Sequence, residues 1–76
     1  MRINEIQELQ IAHYDLLLSA DPDKHLIEEY VKRGLCFEAI FNEMIVGILV
    51  LLPTRPETLE IVNIAVSEKF QKQGIW

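Results

Sequence analysis

The order of apolar and polar residues predicts two amphipathic helices followed by three strands. In the first segment, apolar positions and one histidine recur every three or four residues, as on one face of an α-helix. They are Ile6, Leu9, His13, Leu16, Leu17 and Ala20. Because Pro22 disfavours helical geometry in the residue before it, this helix is expected to end near residue 20.

A second helix is expected to start directly after the first one. Asp21 is suited to cap its N-terminus, and Pro22 is suited to its first helical position. Gly34 is the expected stop. The predicted core face consists of Leu26, Ile27, Tyr30 and Val31.

After Gly34 the chain changes to short apolar runs, which predict strands at residues 35–41, 44–52 and 59–66. The first two are separated only by Asn42 and Glu43, which predicts a tight antiparallel hairpin. Residues 53–57 are expected to form a longer turn. Gly47 indicates a bulge or a close backbone approach, and residues 2–5 are long enough for a short additional strand. The predicted class is α+β, in the order (β)ααβββ.

Length and charge narrow the classes of function. Seventy-six residues allow one small domain. A net charge of −5 with scattered basic residues argues against nucleic-acid binding, and the apolar run at residues 44–52 is far shorter than the about 20 residues of a membrane span. A single cysteine, Cys36, and a start unlike a signal peptide predict a cytoplasmic protein.

The last third of the chain carries the most specific pattern, a buried strand that leads into a polar loop and a glycine. The loop reads Gln71-Lys72-Gln73-Gly74-Ile75. Such loops present backbone N–H groups to an anion at the start of a helix. Strand and loop together resemble motif A of the GNAT acetyltransferases, Gln/Arg-x-x-Gly-x-Gly/Ala, and the preceding element order resembles the first half of that fold.

The resemblance implies that the chain binds acetyl-CoA. In the family, the loop amides hold the cofactor's pyrophosphate, a role that maps onto Gln71, Lys72, Gln73, Gly74 and Ile75. Amides at the end of the preceding strand hold the pantetheine arm and polarise the thioester carbonyl. That role maps onto Ile64, Ala65 and Val66.

The implied reaction is attack on acetyl-CoA by a primary amine of a small molecule or a peptide. Because a lysine-type amine with a pKa of about 10.4 is protonated at neutral pH, a general base is useful. Glu60 stands where histone-type members carry their catalytic glutamate, and apolar neighbours Val62 and Ile64 on its strand face are expected to raise its pKa. An exposed structural acid is an equal alternative for Glu60. Asn63 is expected on the opposite strand face. A structural role is the preferred interpretation for it, and contact with the acceptor is the alternative.

The remaining reactive side chains are interpreted as structural. His13 and His25 belong to no metal-ligand spacing, so no metal is predicted, and Cys36 begins an apolar strand without a histidine partner in sequence. Tyr14 and Tyr30 lie on helices that border the acceptor site in the family, with core packing as the simpler interpretation.

The sequence departs from the family pattern at Trp76, where the motif has a second Gly or Ala. The 76 residues are therefore expected to be a partial GNAT domain that ends before the motif A helix. Two alternatives stay open: a non-catalytic remnant that self-associates or pairs with a missing half, and a small binding module. Since the strand at residues 59–66 is apolar and exposes an unpaired edge, a homodimer through that edge is expected.

Overall fold

The structure is a computed structural model that describes residues 1–71. Its elements are β1 (Arg2–Ile6), α1 (Ile11–Ala20), α2 (Lys24–Arg33), β2 (Leu35–Phe41), β3 (Met44–Arg55), β4 (Thr58–Val66) and a short 3-10 helix (Glu68–Phe70). The strands form one sheet in the order β1-β2-β3-β4, and every neighbouring pair is antiparallel. The predicted α+β class and the (β)ααβββ order are confirmed.

Both helices pack on the same face of the sheet. The buried apolar residues that join the two layers are Leu17, Ile27, Tyr30, Cys36, Ile48, Val50 and Ala65. Alternation along each strand places the other set of side chains on the opposite face, where Ile3, Leu35, Leu59, Ile61 and Ile64 are exposed. In the described part of the chain, helices therefore cover one sheet face only.

The predicted start of the first helix is wrong, because Ile6 ends β1 and the helix begins at Ile11. The pairing of β1 with β2, from Arg2 opposite Ile40 to Ile6 opposite Cys36, decides this segment. A few apolar residues can fit both helical spacing and strand alternation. The predicted helix was therefore extended over residues that belong to β1. The proposed short strand before the helix is confirmed.

The predicted cap of the second helix is displaced by two residues. Asp23, not Asp21, is the N-cap, and its carboxylate accepts a hydrogen bond from the Leu26 N–H at 3.0 Å. Asp21 instead accepts from the Asp23 N–H at 3.0 Å, and Pro22 lies in the connection. Leu26, assigned to the core face, is 50% exposed.

The β2–β3 hairpin turns at Asn42 and Glu43, whose φ angles of 51° and 62° are both left-handed. An extra residue of β3, Val46, interrupts the ladder beside Gly47, so the bulge predicted there is confirmed. The predicted long turn at residues 53–57 is wrong. β3 continues through Pro53 to Arg55, and only Pro56 and Glu57 form the turn.

A buried polar pair attaches α1 to the sheet. His13 is 2% exposed, and its Nε2 lies 2.8 Å from Glu38 Oε1 on β2. His13 Nδ1 accepts from the Gln10 N–H at 2.9 Å, so Nε2 is the nitrogen that donates to the carboxylate. Asn4 on β1 donates to the other oxygen of Glu38 at 3.0 Å. Burial opposes ionisation of Glu38, but the hydrogen bonds from Asn4 and His13 outweigh it and hold the pKa of Glu38 below its ordinary value.

Within residues 1–71, neither α1 nor α2 has the length and apolar character that a membrane-spanning helix needs. Cys36 is a free thiol buried in the core, and burial raises its pKa, which suits the predicted packing role. His25 is exposed in the first turn of α2, as predicted.

Gly34 is predicted to resist substitution, because a Cβ there would lie 2.6 Å from the Leu51 carbonyl oxygen and 2.9 Å from that of Tyr30. Both neighbours are backbone atoms that cannot move freely. We expect Gly34→Ala to lower the free energy of unfolding by about 1–3 kcal/mol, measured by urea denaturation. Arg33→Ala, at the exposed preceding position, is the control and should change it by less than about 0.5 kcal/mol. Equal stability of the two variants would contradict the close packing.

Glu38 is predicted to make stability depend on pH. Its folded pKa lies below the unfolded value, so its contribution is present above about pH 4.3 and is lost as the pH falls through the folded pKa. We expect Glu38→Gln to cost about 1–2 kcal/mol at neutral pH and to flatten the acid limb of the stability curve. Thermal unfolding across the acid range checks this. Glu29→Gln, an exposed change on α2, is the control and should leave the stability curve as in the wild type. If Glu38→Gln also left the curve unaltered, the contact between His13 and Glu38 would not be the source of the pH dependence.

Candidate functional site

The candidate site is built on β4, which lies at the edge of the sheet. Its pairing with β3 shifts between Val50 and Leu51, because Asn63 opposes Val50 whereas Ile61 opposes Leu51. Val62 is therefore an extra residue in β4, a bulge that changes which side chains face the helices.

The bulge corrects two expectations about side-chain direction. Asn63 and Ala65 face the helices. On the other side of the bulge, Glu60 pairs with Leu52 and faces the helix side of the sheet as well. Ile64 faces the other side of the sheet. Glu60 therefore shares a face with Asn63. Unbroken alternation along the strand had predicted that it shares a face with Ile64.

Glu60 lies in an open environment. Its side chain is exposed, and its Oε1 lies 3.3 Å from the Thr54 hydroxyl, which donates to it. Ile64, one of the two apolar neighbours expected beside this carboxylate, faces the other side of the sheet. The role of Glu60 as a base stays a prediction.

Asn63 connects β4 to both helices. It is 6% exposed, and its Nδ2 donates to the Tyr30 hydroxyl on α2 at 2.6 Å and to the Leu17 carbonyl on α1 at 3.3 Å. Burial raises the pKa of Tyr30, the hydrogen bond from Asn63 acts against this, and the nearby Asp21 carboxylate adds to the rise. Asn63 has the structural role expected for it, with helices as its partners.

The backbone of β4 alternates between its two edges. The Ser67 N–H donates to the Val46 carbonyl at 2.8 Å, so Ser67 faces β3. Alternation then directs the backbone groups of Ala65 and Asn63 toward β3 as well, and those of Ile64 and Val66 toward the open edge. Consistent with this, the Val66 carbonyl accepts from Gln71 Nε2 at 3.2 Å. Of the three amides assigned to the pantetheine arm, Ile64 and Val66 face the open edge and Ala65 does not.

The polar loop starts from a fixed position. The Phe70 ring meets Phe41 of the β2–β3 hairpin edge to face, with centroids 5.7 Å apart, and the Phe70 N–H donates to the Ser67 carbonyl. Gln71 is exposed and extended. The other predicted phosphate contacts, Lys72, Gln73, Gly74 and Ile75, lie outside the described residues.

Two clefts flank β4. One, of about 460 Å³, lies at its C-terminal end and is lined by Asp15, Leu16, Ser19, Val66, Ser67, Glu68, Lys69 and Gln71. The other, of about 320 Å³, lies at the end of α1 and is lined by Ala20, Asp21, Ile61, Val62, Asn63 and Ile64. Among residues 1–71, no three His, Cys, Asp or Glu side chains are grouped as metal ligands.

Asp21 lines the second cleft, although its place before Pro22 suggested a helix cap. The isolated polar residue Asn63 in an apolar strand was the available signal for the second cleft. Its partners on α1 and α2 are distant in sequence and could not be read from the pattern.

Comparison with known proteins gives a consistent result. The Bacillus subtilis (strain 168) protein named Uncharacterized N-acetyltransferase YvbK is 50% identical over 74 residues, covering 97% of this chain and 48% of that protein. No protein-family model matches the sequence.

Solved structures with the same fold contain the cofactor. A Bacillus subtilis acetyltransferase in complex with CoA has a TM-score of 0.90 at 51% identity, over 96% of this chain and 48% of that one. A GNAT family acetyltransferase from Elizabethkingia anophelis with acetyl-CoA bound has a TM-score of 0.89 at 49% identity, over 97% and 48%. The chain spans about half the length of these relatives.

The Asn63 connection is predicted to be a coupled hydrogen bond. We expect Tyr30→Phe and Asn63→Ala to lower the free energy of unfolding each by about 1–3 kcal/mol, and the double variant to lose less than the sum by about 1 kcal/mol. Urea denaturation of the four proteins gives the coupling energy. Strict additivity would show that the 2.6 Å contact contributes nothing to folding.

Proposed function

Because the chain belongs to the GNAT superfamily of N-acetyltransferases, we propose that its residues belong to an enzyme that transfers an acetyl group from acetyl-CoA to a primary amine. The chain matches the first half of the GNAT fold, and we propose that it forms the edge that binds acetyl-CoA. The observation that carries this is the open edge of β4, where the Ile64 and Val66 backbones face outward next to the loop that starts at Gln71. The relatives that contain CoA or acetyl-CoA have the same fold at about half identity.

The edge fits the thioester arm of acetyl-CoA by its hydrogen bonding. Two outward N–H groups, on Ile64 and Val66, offer donors to carbonyl oxygens of an extended ligand, as a neighbouring strand would. A donor at the thioester oxygen stabilises the negative charge that develops there when the carbonyl is attacked. Gln71 and the loop residues Lys72, Gln73, Gly74 and Ile75 are proposed to hold the pyrophosphate.

The proposed reaction is a direct transfer. The amine nitrogen bonds to the acetyl carbon, the carbon–sulfur bond breaks, and CoA leaves as a thiolate that takes up a proton. The amine loses its proton to a base, for which Glu60 is the proposed residue and water the alternative.

The open edge also supports a proposal about the 76 residues alone. An unpaired, partly apolar edge strand favours pairing with a second copy, so a homodimer through β4 is proposed for this chain by itself. Such a dimer would occupy the edge that the pantetheine arm needs. A cytoplasmic location is proposed from the single free cysteine, Cys36.

The function is tested in a chimera that joins residues 1–71 to the second half of the Bacillus subtilis relative. We expect it to release free thiol from acetyl-CoA when simple primary amines are present. Glu60→Gln should lower turnover mainly at low pH, where the amine is protonated and a base matters most. Glu57→Gln, an exposed change in the preceding turn, is the matched control. An unchanged pH profile for Glu60→Gln would assign the proton to water, and a chimera that folds and binds acetyl-CoA without thiol release would contradict the proposed reaction.

The chain of 76 residues is predicted neither to bind acetyl-CoA tightly nor to transfer acetyl groups by itself. It spans about half of its relatives' length. Binding of an anion at a phosphate loop depends on the helix that orients the loop amides. Calorimetric titration with acetyl-CoA checks this. Stoichiometric binding in the micromolar range would show that half of the fold is sufficient.

A further inference from the structure

The polar loop begins on a backbone that is held at the end of β4. The carbonyl of Val46, the extra residue of β3, accepts a hydrogen bond from the Ser67 N–H at 2.8 Å, one residue beyond the end of the strand. The 3-10 helix follows, and the Phe70 N–H donates to the Ser67 carbonyl at 2.8 Å. Gln71, the first residue of the loop, therefore continues from a segment whose backbone is hydrogen-bonded to the sheet.

An aromatic contact joins the same segment to the β2–β3 hairpin. The rings of Phe70 and Phe41 meet edge to face, with centroids 5.7 Å apart and planes at 65° to each other. Phe41 is the last residue of β2 and pairs with Met44 across the two-residue turn at Asn42 and Glu43. Because so short a turn leaves the strand ends little freedom, the hairpin gives Phe70 a partner in a fixed position.

Core packing does not account for either ring. Phe41 is 39% exposed and Phe70 is half-buried, and both lie outside the buried cluster that joins the helices to the sheet. An edge-to-face pair has a preferred geometry that a general apolar contact lacks. Since Gln71 follows Phe70 directly, a fixed Phe70 ring also fixes the point from which the polar loop extends.

We propose that Phe41 is a positioning residue for acetyl-CoA: through its edge-to-face contact with Phe70, the β2–β3 hairpin holds the start of the polar loop, with Gln71 first, in the orientation that binds the pyrophosphate. The role of the loop in this assignment rests on the proposed function. Phe41 acts through Phe70 and is assigned no contact with the cofactor. A loop that is ordered before the ligand arrives loses less conformational freedom on binding, which increases the affinity.

The contact is tested first in the 76-residue chain, by NMR relaxation of the backbone amides. We expect Phe41→Ala to increase the fast motion of the Phe70 and Gln71 amides, which lowers their heteronuclear NOE. Leu35→Ala is the matched control, because Leu35 lies at the other end of β2 and is 40% exposed. It should leave both amides unchanged. Equal NOE values in the two variants would overturn the proposal.

The consequence for the cofactor is tested in the chimera, with CoA and with pantetheine, which lacks the pyrophosphate. Calorimetry measures CoA binding, and an NMR titration measures the weaker binding of pantetheine. We expect Phe41→Ala to weaken CoA binding about threefold to tenfold, the range that an aromatic pair can supply. Pantetheine binding should change less than about twofold, as should both affinities in Leu35→Ala. An equal loss for both ligands would show general damage to the fold and overturn the proposal.

Two further variants test whether the effect passes through the ring pair. Phe41→Leu keeps an apolar side chain in β2 and removes only the ring, so it should also weaken CoA binding. Because Phe41 acts through Phe70, the double variant Phe41→Ala with Phe70→Ala should bind CoA as Phe70→Ala does alone. Wild-type affinity in Phe41→Leu, or fully additive losses in the double variant, would contradict the assigned contact.

The chimera separates this inference from the proposed function. CoA binding that depends on Phe41, in a chimera that transfers no acetyl group, would overturn the function alone. Acetyl transfer with a KM for acetyl-CoA that Phe41→Ala leaves unchanged would overturn the inference alone.

Discussion

The buried amide of Asn63 is the constraint on which the two-layer structure depends. One side chain on an edge strand meets the Leu17 carbonyl of α1 and the Tyr30 hydroxyl of α2, so the positions of both helices are fixed relative to β4. A buried amide is stable only when its polar atoms find partners, which makes this contact specific in a way that apolar packing is not. The same constraint fixes which amide atom is left over.

The bulge at Val62 determines how β4 serves two purposes. By adding one residue, it turns Asn63 and Ala65 toward the helices and places Ile64 on the other face. The hydrogen-bonding alternation then assigns Ala65 to β3 and leaves Ile64 and Val66 at the open edge. One short segment therefore combines a helix anchor, two outward amides and the wall of a cleft.

Sequence patterns predicted the fold better than they predicted the site. The strand at Leu35–Phe41 and the hairpin at Asn42 and Glu43 follow from strong local signals, β-branched and aromatic runs around a two-residue turn. Element ends were harder, since Ile6 fits a helical stripe as well as a strand, and Asp21 and Asp23 are equally plausible caps. Side-chain directions in β4 could not be predicted, because the bulge at Val62 contains no glycine or other local signal and reverses the alternation beyond it. The His13 contact with Glu38 depends on pairing across 25 residues, which no local pattern specifies.

The most direct test of this account is amide hydrogen exchange along β4, measured residue by residue in the chimera with and without CoA. We expect Ala65 and Asn63 to exchange slowly in both states, whereas Ile64 and Val66 exchange fast without CoA and become protected when it binds. Protection of Ile64 and Val66 that is unaffected by CoA, or fast exchange of Ala65, would contradict the assignment of the β4 edge as the acetyl-CoA site.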